Sequence, residues 1–252
     1  MKKPGWKQIG AALAAGIILL CVPGVSQAED KETVKINKPG FQLQVPKAWA
    51  AVTSDMEPDD PVFSQLGVDG KDMLSQLESQ NVLLDSMNMD EKTEFNITCI
   101  SSEEKITHLT QFSDEDVEKF AENLTKEEKG SPVKYDGYTL YDHPQAKFIV
   151  SKMELGEGNG YGQQYFTIVN HNSLRFQIMS FNGPLSKETE KQVKEIIDSV
   201  VFDSLEEAEP LEIGGRTNVF SKWFTPNNIL LAVIAAGVVI LGADWIGKRK
   251  KK

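Results

Sequence analysis

Cys99 and the three histidines His108, His143 and His171 are the side chains best suited to attack a substrate, hold a metal or move a proton. A cysteine nucleophile needs an adjacent base and partial exposure. Cys99 instead alternates with Phe95 and Ile97, which turns its thiol toward apolar neighbours and makes it a structural residue. The histidines fall in separate loops or strand ends, with neither an HExxH nor a paired CxxC spacing, so no zinc site is expected. Asp55, Glu57, Asp59 and Asp60, and again Asp114, Glu115 and Asp116, offer the oxygen ligands of hard cations. Neither run has the central glycine and closing glutamate of a calcium loop, and both read as solvated surface. Ser102 and Lys105 match SxxK by letter alone, without the SDN and KTG companions. There is no GxSxG, no P-loop and no GxGxxG opening a helix. The expectation is a chain with no catalytic, cofactor-binding or metal-binding residues and no cofactor.

The elements that must position these side chains follow from periodicity. Thr33 to Asn37 and Phe41 to Val45 alternate apolar and polar residues around Lys38-Pro39-Gly40, a β-hairpin that ends at Pro46 with Trp49 set against the core. Residues 53–61 are acidic and proline-punctuated, hence a loop. Asp72 to Gln80 has helical spacing, with Asp69 as its cap. Asn81 to Met89 and Glu94 to Ile100 read as strands, the second carrying Phe95, Ile97 and Cys99 on one face and Asn96, Thr98 and Ile100 on the other. Ser113 to Lys126 is an amphipathic helix with a capping-box-like start at Ser113 and Asp116. Four strands follow, over residues 133–141, 146–153, 161–169 and 174–181, with Asn170-His171-Asn172-Ser173 as the last turn. A final helix from Lys187 to Val200 opens after Ser186 and buries Val193, Ile196, Ile197 and Val200. This order implies an α+β domain with one curved antiparallel sheet covered by helices.

The two ends of the chain are different in kind. A basic start, an apolar stretch and Ser26-Gln27-Ala28 read as a signal peptide over residues 1–28, cleaved between Ala28 and Glu29. Cys21 leaves with it, so Cys99 has no partner for an internal disulfide. Ile229 to Ala243 is an unbroken apolar run. With Trp245 at its edge, and extended through Ile246, it gives a helix of roughly 27 Å at ~1.5 Å per residue, enough for one membrane span. Lys248, Arg249, Lys250 and the two lysines after them place the C-terminus in the cytoplasm. The division is therefore a signal peptide (1–28), an extracytoplasmic domain (29–205), an acidic juxtamembrane linker (206–226), a transmembrane helix (227–247) and a basic tail (248–252). The whole chain carries a net charge of −10, and removal of the basic leader and tail makes the remainder more acidic still. Such a surface repels phosphate backbones, which excludes a nucleic-acid partner.

Three stretches resemble the PsbP-like α/β sandwich superfamily: Gly40 to Trp49 (GFQLQVPKAW), Tyr141 to Phe148 (YDHPQAKF) and Ile196 to Phe202 (IIDSVVF). The last, a helix that delivers an Asp-Ser-hydrophobic-x-Phe strand, is the most recognisable. The resemblance spans residues 33–203 and implies a sheet sandwiched by helices and a history of docking or scaffolding, with no shared active site to carry over. The functional expectation is a non-catalytic binding or docking domain of the bacterial envelope, anchored by a single pass and engaging another envelope protein or a ligand. A metal-assisted envelope hydrolase and a structural spacer are the alternatives.

Overall fold

The computed structural model describes residues 30–101, 106–127, 131–156 and 160–211. The cleavage junction of Ala28 and Glu29, the span from Ile229 to Ala243 with Trp245, and the tail residues Lys248, Arg249 and Lys250 lie outside them. Among the described residues no helix is long and apolar enough to cross a membrane.

The fold is mixed α and β, and it contains two antiparallel sheets where the sequence implied one. Strands β1 (Lys31–Ile36) and β2 (Phe41–Pro46) form the expected hairpin. They do not join the main sheet. A two-stranded hairpin is marginal by itself, and β10 (Val201–Phe202), delivered by the last helix, pairs with the free edge of β2 and places Phe202 opposite Phe41. The large sheet has the order β3-β4-β5-β9-β8-β7-β6. Its strands are β3 (Ala50–Thr53), β4 (Val82–Asn88), β5 (Thr93–Ser101), β6 (Val133–His143), β7 (Ala146–Leu155), β8 (Gly160–Val169) and β9 (Asn172–Ser180). Two short elements escape the sequence pattern. Four residues of β3 are too few for alternation to show, and α1 (Pro61–Leu66) starts where the acidic loop ends, with Asp60 accepting a hydrogen bond from the Val62 amide at 2.9 Å.

One face of the large sheet carries the main core. Leu84, Phe95, Ile97, Phe148, Phe176 and Ile178 pack against Phe41, Leu43 and Val45 of β2 and against α4 (Lys187–Asp198). Helix α4 buries Val193, Ile196 and Ile197, with Val200 just beyond it, at the spacing of one helical face, and Ser186 caps it by accepting from the Thr189 amide at 3.0 Å.

The opposite face is covered in two separate places. Helices α1 and α2 (Gly70–Ser79) set Phe63, Met73 and Leu77 on Val52 and Val82. A 3-10 turn at Leu109–Gln111 and helix α3 (Asp114–Leu124) set Leu109, Val117, Phe120 and Leu124 on Ile149, Phe166 and Ile168. The caps Asp69 and Ser113 stand where the sequence places them. At one end Val133, Met153 and Met179 form a smaller cluster over Gly162, where a β-carbon would lie 2.3 Å from the Met179 sulfur.

After β10 the chain forms a strap, residues 203–211, across the β8–β9 turn and the 3-10 turn. The Glu206 amide donates to Asn170 Oδ1 (2.9 Å) and Asn170 Nδ2 to the Ser204 carbonyl (2.8 Å). Gln111 Nε2 donates to the Glu209 carbonyl (2.8 Å), and the Leu211 amide to the Gln111 carbonyl (2.9 Å). Residues 206–211 of the segment read as a linker are thus held on the domain.

Candidate functional site

The centre of the second face, between the two apolar clusters, is polar. Directly opposed residues in an antiparallel sheet share a face, and one row across the sheet reads Val52, Asp85, Asn96, Gln177, Gln164, Ser151 and Tyr138. Five successive strands therefore present a polar side chain at the same level. The adjoining row on one side contains Thr98 and Arg175, and the row on the other contains Glu94 and Tyr135. The apolar clusters of α1 and α2, of α3, and of Met153 with Met179 border this patch.

These side chains are deeply buried: Gln164 and Gln177 are 0 % exposed, Glu94 1 %, Asp85 2 % and Arg175 5 %. Both amide atoms of Gln164 and of Gln177, one carboxyl oxygen each of Asp85 and Glu94, Arg175 Nε, Ser151 Oγ and the Tyr135 hydroxyl have no hydrogen-bond partner among the described residues. Each such group costs about 1–3 kcal/mol, which is why native cores contain few of them. Their concentration in adjoining rows makes this face the candidate site.

The electrostatics are set by burial. It pushes the Asp85 carboxyl up to about 7, against a hydrogen-bond contribution from Glu94 that lowers it. Glu94 is raised well above the ordinary carboxyl value by burial and then by the Asp85 charge. Burial lowers Arg175, partly offset by the Tyr135 phenol, whose own value burial raises. Among the described residues Arg175 forms no ion pair with a carboxylate. The arrangement combines a carboxyl pair that holds protons near neutrality, one buried guanidinium, and three amides (Asn96, Gln164, Gln177) that can each donate and accept. It contains no thiol or histidine. Among the described residues no three histidine, cysteine or acidic side chains gather closely enough to hold a metal.

The residues singled out in the sequence lie elsewhere. Cys99 is on the main-core face, half-buried, with Sγ 3.6 Å from Asn172 Oδ1, and burial pushes its thiol up to about 11. At pH 7 the native thiol of a Cys21→Ser chain should react with a disulfide reagent about a hundredfold more slowly than the urea-unfolded thiol, because the thiolate fraction falls tenfold per pH unit. Reaction at the unfolded rate would show the assignment to be wrong. His108 and His171 hold the strap. His108 Nε2 lies 2.8 Å from the Glu206 carbonyl, and His171 Nε2 lies 3.3 Å from the Glu206 carboxylate. His143 packs edge-on against Phe148, its pKa lowered by burial. The acidic runs are structural: Asp55 accepts from Thr53 and Asn37, Asp60 and Ser113 cap helices, and Asp114 pairs with Lys147. Ser102 and Lys105 lie outside the described residues.

Sequence reasoning identified the strands but missed the site. The visible signal was the alternation of Arg175 and Gln177 with Leu174, Phe176 and Ile178, together with Gln163-Gln164 in the middle of a strand and Asp85 beside Leu84. An alternating polar face reads as solvent-facing unless something is known to cover it.

No family model and no curated protein matches the chain. Among solved structures it is similar to the solution structure of cyanobacterial PsbP (CyanoP) from Synechocystis sp. PCC 6803, with a TM-score of 0.43 and 11% identity over 73% of this chain and 98% of that one.

Proposed function

We propose that this chain is a membrane-anchored extracytoplasmic binding module of the bacterial envelope, PsbP-like in architecture and non-catalytic, that holds a small polar ligand along the buried row of its large sheet. The observation that carries the reading is the set of unpaired polar atoms on Gln164, Gln177, Asp85, Glu94 and Arg175 in adjoining rows of one face. Groups of this kind are strongly disfavoured in a core unless a ligand or ordered water completes them. The anchor rests on the apolar run from Ile229 and the basic tail from Lys248.

The test is a paired substitution, Gln164→Leu with Gln177→Leu, which keeps side-chain volume and removes four buried polar atoms. The unfolding free energy should rise by about 1–3 kcal/mol. At the same time, thermal stabilisation by a panel of millimolar anionic, cationic and zwitterionic small molecules should disappear. A variant that keeps every ligand-induced shift, or an unmodified chain that shows none, would refute the reading. Carbonate-washed membranes should retain the full chain and release one that ends at Leu211.

A further inference from the structure

We propose that the ligand of the buried row is a short peptide with free termini, its carboxylate bound by Arg175 and its ammonium by the carboxyl groups of Asp85 and Glu94. The inference rests on the binding reading above and names the ligand class. Its basis is the placement of a guanidinium and a carboxyl pair on one face. Arg175 is on β9 and Asp85 on β4, two strands and two residues apart, because Arg175 faces Thr98 while Asp85 faces Asn96. At ~4.8 Å between strands and ~3.4 Å per residue their Cα atoms are about 12 Å apart. Glu94 lies diagonally next to Asp85 on the same face.

Asn96 stands beside Asp85, Gln177 stands on the strand of Arg175 and Gln164 on the strand beyond, and both amide atoms of each glutamine have no hydrogen-bond partner among the described residues. A primary amide offers one acceptor and a donor group, the same complement as a peptide unit. Allowing for the reach of the side chains, the span suits two or three extended residues at ~3.4 Å each. A simple dianion would leave the carboxyl pair without a partner, and a simple cation would leave Arg175 without one. A ligand with both an ammonium and a carboxylate serves both ends, the ammonium favouring release of the carboxyl protons, and amides in its middle serve the row beside them.

The experiment is calorimetric titration of the full chain in detergent with trialanine, trialaninamide, N-acetyltrialanine and N-acetyltrialaninamide. Trialanine should bind at least tenfold more tightly than either singly blocked peptide and a hundredfold more tightly than the doubly blocked one. Arg175→Gln should abolish the discrimination against trialaninamide and keep that against N-acetyltrialanine, and Glu94→Gln should do the reverse. Should either variant fail to fold, the blocked series on the unmodified chain decides alone. Equal binding of all four peptides would overturn the inference and leave the binding reading intact. No heat from any peptide, with another small molecule giving a shift that depends on Gln164 and Gln177, would overturn it in the same way. If nothing binds, both readings fail.

Discussion

Phe176→Ala is expected to lower the unfolding free energy by about 3–5 kcal/mol, the range for removal of a fully buried phenylalanine. Phe176 is 0 % exposed and joins the two sheets: its ring lies 5.9 Å from Phe41 on β2 and 5.8 Å from Phe148 on β7, and Phe41 lies 5.6 Å from Phe202 on β10. Truncation leaves a cavity at the junction that holds the three-stranded sheet in place, and the rings around it lose edge-to-face contacts as well as buried area. Urea denaturation followed by far-ultraviolet circular dichroism measures the effect. A loss below about 1 kcal/mol would mean that the two sheets do not share this core.

The second large effect is a dependence on pH with an unusual sign. Most folded proteins gain stability as the pH rises through the carboxyl range, because their paired carboxylates ionise more easily in the native state. Asp85 acts in the opposite direction. Its carboxyl rises from an ordinary 3.8 to about 7, so between those values the native state binds more protons than the unfolded one and stability falls as the pH rises. At ~1.36 kcal/mol per pH unit, the climb from pH 4 to pH 7 costs about 4 kcal/mol. Glu94, raised well above the ordinary carboxyl value by burial and by the Asp85 charge, acts with the same sign. Glu195 has the usual sign: the Lys31 ammonium, 2.5 Å away, lowers its pKa, and its contribution is lost only as the pH falls below the ordinary carboxyl range. Denaturation midpoints from pH 4 to 8 should decline in the unmodified chain and decline less steeply in Asp85→Asn. A rising profile would show that Asp85 is ionised in the native state.

The fold was legible in the sequence wherever one face of an element is apolar. Helix α4 shows its buried stripe at Val193, Ile196 and Ile197, β9 alternates cleanly, and Asp69, Ser113 and Ser186 announce three helix starts. Pairing between distant strands was not legible. Nothing local in Phe41 to Pro46 tells whether it joins the large sheet, because its second partner, β10, arrives from residues 201–202. The candidate site was hidden for a related reason. Asp85, Asn96, Gln164 and Gln177 belong to four strands separated by up to 92 residues in sequence, and they become a row only through register. Asn96 was seen, but only as a member of the face opposite Phe95, Ile97 and Cys99, and the burial that gives the row its chemistry depends on how the whole chain closes over it.

The strap over residues 203–211 governs how the domain answers to force. A load applied through the C-terminus first meets the bond from the Leu211 amide to Gln111, then those at Glu209 and Glu206, and then the short pairing of Val201 and Phe202 with β2. These contacts lie one after another along the chain, so tension opens them in sequence, as a peeled seam does, and never shears them together. The domain would yield at low force by paying out the eleven residues from Val201 to Leu211, while the seven-stranded sheet behind them bears none of the load until the strap has gone. A load that enters beyond Leu211 would be taken up first by this segment and only later by the sheet.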